Sequence, residues 1–327
     1  MAASLTLNSG HRIPQVALGT SRISADNLKI TIKRALDIGY RHIDTAFWYG
    51  NEAVIGEALQ EWLRSSNLSR QDVYVTTKLH QAYMKGHAVG PALDESLRRL
   101  RVDYVDLYLI HTPCAAKELD TYPENKPARP PETDFISVDL RETWKAMEDT
   151  VFNGKARSIG VSSFNSKQLD YICEGARIQP AVNQVFYHKE VEVHARLPQR
   201  KLHDYCKSRN ILLQAFCPLG SPNFAGPIFV NKIQSSDNLL KHPVILKIAN
   251  KYKRTVGQIL LRNLTQRGIA VVPKSENPQR MEDNLNIFSF SLSDEDMNKV
   301  NELDNGERRF IFTWLKNHPD YPFHEEF

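Results

Sequence analysis

The chain of 327 residues has no apolar run near the roughly 18 residues that a membrane-spanning helix needs. Its start also lacks the basic segment and apolar core of a secretory signal peptide, so we expect a cytoplasmic protein that does not enter a membrane. The formal net charge is only +4 and no long run of Lys and Arg occurs, which argues against a nucleic-acid partner. This small positive balance fits either an anionic small-molecule ligand or an ordinary solvated surface.

Cysteine is scarce and dispersed, at Cys114, Cys173, Cys206 and Cys217. With no C-x-x-C pair and no H-E-x-x-H among the histidines, the sequence predicts free buried thiols and no metal site. A metal-dependent hydrolase is therefore not expected. The chain also lacks G-x-G-x-x-G, and this excludes the open doubly wound sheet that binds dinucleotides on such a turn.

Short apolar segments alternate with amphipathic helical patterns along the chain. Strands are predicted at Val16–Leu18, His42–Asp44, Val73–Lys78, Val105–His111, Ser158–Val161, Val182–Val185, Leu212–Phe216 and Ala270–Val272. Helices are predicted near 26–38, 51–64, 91–100, 138–153, 166–176, 194–209, 243–267 and 278–286, with a break at Arg254-Thr255. Eight strands alternating with helices favour an α/β fold of the (β/α)8 TIM barrel type, and we expect residues 1–327 to form one domain.

Four segments fall outside this alternation. Residues 5–13 alternate apolar and polar side chains around Asn8-Ser9-Gly10, which predicts an N-terminal β-hairpin. Residues 112–137 follow the fourth strand, residues 217–241 follow the seventh, and the aromatic-rich tail 305–327 ends the chain. Because these three stretches exceed the usual loop length, we expect them to lie over one rim of the barrel.

Polar side chains end three consecutive predicted strands. Asp44 ends the second strand and is followed by Tyr49, Lys78 ends the third, and His111 ends the fourth. The carboxyl ends of barrel strands meet at one face, where barrel enzymes place their chemistry. We therefore expect these four side chains to lie close together.

This set of groups is suited to proton transfer. Lys78 at the end of an apolar strand needs a partner, and Asp44 is the natural one. A phenol titrates near pH ~10, and a cation within about 4–6 Å lowers that pKa by roughly 1–3 units, which makes Tyr49 a candidate general acid toward a carbonyl oxygen. His111 then orients or polarises the carbonyl. Taken singly, an Asp–Lys pair is more often structural, and a lone histidine is often a hydrogen-bonded core residue.

At these positions the sequence resembles the aldo-keto reductase superfamily, in the style of aldose and aldehyde reductases, over nearly the whole chain. The matching motifs are Gly39-Tyr-Arg-His-Ile-Asp-Thr-Ala46 with Tyr49, Asn51 and Glu52; Thr76-Thr-Lys-Leu79; Leu107-Tyr-Leu-Ile-His-Thr-Pro113; Gly160-Val-Ser-Ser-Phe-Asn165; Val182-Asn-Gln184; Pro218-Leu-Gly-Ser-Pro222; Val272-Pro-Lys-Ser275; and His318-Pro-Asp-Tyr-Pro-Phe323.

The resemblance implies NADPH-dependent reduction of an aldehyde or ketone, with Asp44, Tyr49, Lys78 and His111 as the catalytic set and Tyr49 as the proton donor. It implies that the nicotinamide stacks on Phe216, that Lys274, Ser275 and Arg280 bind the 2′-phosphate, and that further residues contact the rest of the cofactor. Among them, Ser162 and Gln184 are expected to hold the nicotinamide carboxamide, and Arg22 and the backbone around Leu219 and Ser221 to lie against the pyrophosphate. Asn284, with Asp283 beside it, is expected to contact adenine, and Thr20 and Ser163 are the remaining contacts. It also implies a monomer acting on a small carbonyl substrate.

The sequence departs from the family pattern at several places. Ser163 replaces the usual Asn after Ser162, so one contact to the carboxamide is expected to be lost or shortened. Glu276 adds a negative charge beside the phosphate-binding residues, and this charge predicts some weaker use of NADH. Aldose reductase-like proteins line the substrate pocket with several tryptophans, and at the matching positions this chain has Ser21, His80 and Thr112. It gains Trp48 beside Tyr49, so these four residues are expected to form a reshaped pocket.

Alternative interpretations stay open at this point. His80 is an added titrating group or an inert pocket histidine, and Lys274 and Arg280 taken alone fit an ordinary solvated helix start. Steroids, sugars, lipid aldehydes, α-dicarbonyls and prostanoid-like ketones are all candidate substrates. The alternative function is that of a cofactor-bound, non-catalytic binding or structural protein on the same scaffold.

Overall fold

The structure is a computed structural model. The residues that it describes are 3–125, 127, 130–185, 194–220, 238–305 and 313–322. Its strands are β1 Ser4–Thr6, β2 Arg12–Pro14, β3 Leu18–Gly19, β4 His42–Asp44, β5 Tyr74–Leu79, β6 Val105–Ile110, β7 Ala115–Ala116, β8 Phe135–Ile136, β9 Ala156–Ser162, β10 Val182–Val185, β11 Leu212–Phe216 and β12 Ala270–Val272. Its helices are α1 Ala25–Ile38, α2 Glu52–Ser65, α3 Gly86–Leu100, α4 Leu140–Phe152, α5 Ser166–Cys173, α6 Arg200–Ser208, α7 Pro243–Tyr252, α8 Val256–Gln266, α9 Pro278–Leu285 and α10 Asp294–Asn301.

Eight parallel strands form the central sheet, in the order β12-β11-β10-β9-β6-β5-β4-β3. The two edges meet where Val16 forms a parallel bridge with Val271. There the N–H of Ala17 donates to the carbonyl of Val271 at 2.9 Å, and the N–H of Val271 donates to the carbonyl of Gln15 at 2.8 Å. The sheet therefore closes on itself, and the predicted α/β barrel is confirmed.

The strands are short and apolar because both of their faces are covered. Every residue of β4, β5 and β6 is buried, as expected for parallel strands between a barrel interior and an outer layer of helices. Gly160 in β9 lies so close to β10 that an added Cβ would clash with the backbone of Val182. This close approach explains why glycine occupies that position.

The predicted N-terminal hairpin is confirmed, with β1 and β2 antiparallel and Gly10 in the left-handed region at φ 82°. It covers the amino-terminal mouth of the barrel. Leu7 and Ile13 pack on the strand residues Leu107 and Val182, and the Asn8 amide donates to the carbonyl of Pro180 at 2.8 Å. The polar side chains that end the strands lie at the opposite, carboxyl-terminal mouth.

Several details of the local structure differ from the sequence-based expectations. The helix predicted over 194–209 begins only at Arg200, because Pro198 lacks an N–H and disfavours helical geometry in the residue before it. Helix α10 was not predicted, and the 112–137 stretch contains the short antiparallel pair β7–β8. Cys173 and Cys217 are only half-buried, whereas Cys114 and Cys206 are buried as expected.

None of the helices in the described part of the chain is long and apolar enough to cross a membrane. Within the same residues, no three His, Cys, Asp or Glu side chains are grouped as metal ligands.

Candidate active site

An ion pair lies at the centre of the carboxyl-terminal mouth. The Lys78 ammonium donates to Asp44 Oδ1 at 2.6 Å and to the backbone carbonyl of Thr45 at 2.7 Å. Both charged side chains are fully buried. Burial lowers the pKa of Lys78, while Asp44 opposes that shift. The predicted pair is therefore formed, and it places a cation in a dry environment.

Tyr49 lies beside this cation. The Lys78 Nζ atom is 5.3 Å from the centroid of the phenol ring. Tyr49 ends a single 3-10 turn, Phe47–Tyr49, which follows directly from the loop after β4. A hydrogen-bond chain fixes that loop: Thr45 Oγ1 donates to Asn51 Oδ1 at 2.7 Å, and Asn51 Nδ2 donates to the carbonyl of Thr20 at 3.1 Å.

His111 completes the cluster from the residue after β6. Its ring meets that of Tyr49 edge-on, with 5.7 Å between centroids and an interplanar angle of 78°. Burial, with smaller contributions from Lys78 and His80, lowers the pKa of His111 well below its usual value. The imidazole is therefore neutral near pH 7 and acts as a hydrogen-bonding group without charge. The structure thus brings all four predicted catalytic residues together.

Two glutamines extend the cluster toward β10 and β11. Gln184 Nε2 donates to Asp44 Oδ2 at 2.6 Å and to Gln214 Oε1 at 2.7 Å. Sequence reasoning missed Gln214, although a polar residue in the middle of the apolar strand Leu-Leu-Gln-Ala-Phe was an available signal. Gln184 thus holds the second oxygen of the Asp44 carboxylate.

The residues predicted to contact the nicotinamide end line neighbouring strand ends. Ser162 lies opposite Gln184 in the β9–β10 register, and Phe216 ends the next strand, β11. Ser162 Oγ and Gln184 Oε1 are buried and have no hydrogen-bond partner among the described residues. Ser163 adopts φ 64°, a left-handed conformation in which Asn is more usual than Ser.

Thr20 and the residues predicted to lie against the pyrophosphate have different surroundings. Thr20 is fully buried, and its hydroxyl donates to the carbonyl of Asp44 at 2.9 Å, so it supports the end of β4. Arg22 is exposed just beyond β3, and Leu219 is half-buried in the turn after β11. Ser221 lies outside the described residues.

The predicted phosphate-binding residues gather where β12 leads into α9. Lys274 and Arg280 are exposed, Ser275 is mostly buried, and the N–H of Arg280 donates to the Asn277 side chain that caps α9. Such a helix start favours an anion, because its N–H groups and dipole point outward. Asp283 is half-buried within α9.

Asn284, the predicted adenine contact, is largely buried. Its place in the packing between α9 and α1 accounts for that burial.

An aromatic cluster forms one wall beside Tyr49 and His111. The indole of Trp48 packs edge-on against the rings of His111, His80 and Trp314, at centroid distances of 5.9, 6.3 and 5.8 Å. Sequence reasoning missed Trp314, whose only signal was the aromatic-rich tail. The remaining predicted pocket residues, Ser21 and Thr112, are half-buried at the ends of β3 and β6.

His80 is a neutral donor within this wall. Its Nδ1 accepts the N–H of Ala82 at 3.2 Å, so the neutral ring carries its proton on Nε2. Burial lowers the pKa of His80 to about 4. Nε2 has no hydrogen-bond partner among the described residues. A buried imidazole N–H without such a partner is a group that a substrate oxygen can satisfy.

Comparisons with known proteins agree with this geometry. The family model described as "Aldo/keto reductase family" matches residues 15–305. The chain is 40% identical to aldo-keto reductase family 1 member A1-A of Danio rerio over 100% of both chains. It is 39% identical to the aldo-keto reductase family 1 member C23-like protein of Equus caballus, over 98% of this chain and 97% of that protein. The aldose reductase structure from Schistosoma japonicum superposes with a TM-score of 0.88 at 38% identity, covering 99% of this chain and 100% of that one.

Proposed function

Because this chain belongs to the aldo/keto reductase family, whose oxidoreductases act on small carbonyl compounds with NAD(P)H, we propose that it reduces an aldehyde or ketone to the alcohol with NADPH. The observation that carries the proposal is the buried Lys78 ammonium, 5.3 Å from the ring centroid of Tyr49. A cation there stabilises phenolate relative to phenol, so the hydroxyl gives up its proton more readily. This makes Tyr49 the proton donor.

The residues present fit a nicotinamide cofactor. A carboxamide offers both a donor and an acceptor, and the buried Ser162 hydroxyl and Gln184 Oε1 offer the complementary pair at adjacent strand ends. Phe216 supplies a ring for stacking. At the other end, Lys274, Ser275 and Arg280 supply a point charge, a hydroxyl and a guanidinium, which suit a 2′-phosphate. When bound, the dihydronicotinamide supplies a hydride to the carbonyl carbon.

The residues of the chain provide the other half of the reaction. As hydride arrives at carbon, the π electron pair of the carbonyl moves to oxygen, which takes the proton of the Tyr49 hydroxyl. Lys78 stabilises the resulting phenolate, and Asp44 keeps the lysine in place. Neutral His111 orients the carbonyl oxygen. Solvent returns a proton to Tyr49 after the alcohol leaves.

A Tyr49→Phe variant tests this assignment. We expect kcat to fall by roughly 10²–10⁴-fold, because one general acid is lost, while NADPH binding measured by fluorescence quenching is retained. The matched control is Tyr171→Phe, which removes an exposed hydroxyl on the outer helix α5. Unchanged turnover in Tyr49→Phe would refute the role of Tyr49.

The second candidate function is a cofactor-bound, non-catalytic binding or structural protein. The complete catalytic cluster argues against it. Purified protein that binds NADPH but oxidises none of it with a panel of reactive aldehydes would favour this second function.

We further infer that residues 1–327 act as one monomeric domain in the cytoplasm. The expected result in analytical ultracentrifugation is a single species near 37.4 kDa. A species of twice that mass would contradict the monomer.

A further inference from the structure

Lys274, which is predicted to bind the 2′-phosphate, already forms an ion pair with the carboxylate of Glu276. The Lys274 Nζ atom lies 2.5 Å from Glu276 Oε1. The second oxygen, Glu276 Oε2, accepts a hydrogen bond from Asn27 Nδ2 at 3.0 Å. The glutamate is thus held from two sides, by the segment between β12 and α9 and by helix α1. About a third of each charged side chain is accessible, so an incoming anion can reach the pair.

The pair persists as an ion pair near neutral pH. The Lys274 ammonium, with a smaller contribution from Asn27, holds the pKa of Glu276 below its usual value. The glutamate therefore stays ionised throughout the physiological range. A phosphate that approaches Lys274 meets a cation that is already neutralised and, beside it, a negative charge.

We propose that Glu276 sets the choice between phosphorylated and unphosphorylated nicotinamide cofactors, because its carboxylate competes with the 2′-phosphate for Lys274. This inference rests on the proposed function, which assigns Lys274 to the cofactor. An unphosphorylated dinucleotide does not need Lys274 and leaves the ion pair intact. NADH is therefore a working cofactor of this protein, and the advantage of NADPH is smaller than the exposed cations alone would give.

The size of the effect follows from elementary electrostatics. Removing the glutamate charge frees Lys274 from an accessible ion pair and also removes the repulsion between a carboxylate and a phosphate dianion a few ångströms away. In water-exposed surroundings these two contributions together correspond to about a tenfold change in affinity. The change applies only to ligands that carry the 2′-phosphate.

Equilibrium binding of nucleotide fragments tests this without relying on catalysis. Adenosine 2′,5′-bisphosphate and adenosine 5′-monophosphate differ only in the 2′-phosphate, and calorimetry gives the ratio of their Kd values for each protein. We expect Glu276→Gln to shift this ratio about tenfold in favour of the bisphosphate by strengthening bisphosphate binding. The matched control, Glu282→Gln, removes an exposed charge from α9 and should leave the ratio unchanged.

A double-variant cycle tests whether Glu276 acts on phosphate binding through Lys274. In Lys274→Met, bisphosphate binding should weaken and monophosphate binding should stay the same. If Glu276 acts through Lys274, adding Glu276→Gln to Lys274→Met should give clearly less than the tenfold gain seen alone. A ratio in Glu276→Gln within twofold of the parent protein, or a full gain without Lys274, would overturn the inference. Failure of both nucleotides to bind the parent protein would refute the proposed cofactor site itself.

Discussion

The buried pair of Lys78 and Asp44 allows a quantitative prediction about stability. At 2.6 Å and an effective dielectric constant of about 20, the Coulomb attraction between the two charges is about 6 kcal/mol, which offsets the cost of burying both. Removing one partner leaves the other charge buried without compensation. We therefore expect Lys78→Met and Asp44→Asn each to lower the free energy of unfolding by about 3–5 kcal/mol.

The double variant should lose much less than the sum of the two, by at least about 2 kcal/mol, because no charge remains buried. Urea denaturation followed by the fluorescence of the four tryptophans gives these values. The two single variants should also differ in pH dependence. In Asp44→Asn, burial favours neutral Lys78, so the folded state binds fewer protons than the unfolded state and stability should rise as pH increases toward 10.

Additive losses in the double variant would refute this reasoning, because they would show that the charges do not depend on each other. A flat pH dependence in Asp44→Asn would refute the part that concerns burial of the lysine. Turnover provides a separate check, since Lys78→Met should lose activity even at temperatures where circular dichroism shows it to be fully folded.

Three further outcomes follow from other parts of the structure. Gly160→Ala should lower the melting temperature by several degrees in calorimetry, because its Cβ would clash with the backbone of β10, and a stability equal to the parent would contradict that packing. The free energy of unfolding measured in urea should fall from pH 6.5 toward pH 4, by about 2 kcal/mol at pH 5 from His42 alone. The reason is that burial lowers the pKa of His42 to about 4, while the imidazole in the unfolded chain titrates near 6.5. His42→Asn should reduce this pH dependence, and the control His11→Asn, at an exposed position, should not. His318→Ala should raise the KM for the carbonyl substrate roughly fivefold and leave the Kd of NADPH unchanged. The imidazole of His318 donates to the carbonyl of Ala115 at 2.8 Å and so holds the segment that carries Trp314. Equal changes in KM and Kd would contradict this role.

The alternation of strands and helices was predictable because a barrel repeats one local rule. Each parallel strand is buried on both faces and reads as a short apolar run, and each outer helix shows a helical period, so β4, β10, β11 and β12 have the predicted bounds. Errors arose where a local signal was misread. Pro198 should have delayed the helix to Arg200, and Ser293 followed by three acidic residues was an unused helix start signal.

The catalytic cluster was predictable for a related reason. Asp44 at the end of β4 is in register with Thr76 in β5, and Lys78 in β5 is in register with Leu109 in β6, so each polar residue lies a short distance along the chain from the residue that pairs with its neighbour. Polar residues at such strand ends therefore lie at the common carboxyl-terminal mouth of the barrel. The support that Gln214 gives through Gln184 was not predictable in the same way, since it depends on side-chain geometry between strands.

The aromatic wall around Trp48 follows no such rule. Trp48 comes from the loop after the second barrel strand and Trp314 from the tail, and their 5.8 Å contact joins segments with no shared period or register. The same holds for His80, whose neutral Nε2–H results from a turn that directs the Ala82 N–H to Nδ1. The barrel strands determine the positions of Asp44 and Lys78, while the loops determine this wall, and Trp48 shares the turn Phe47–Tyr49 with Tyr49. The strand-end cluster is therefore predictable from the barrel repeat, whereas the aromatic wall depends on contacts between the tail and the loops that follow the strands.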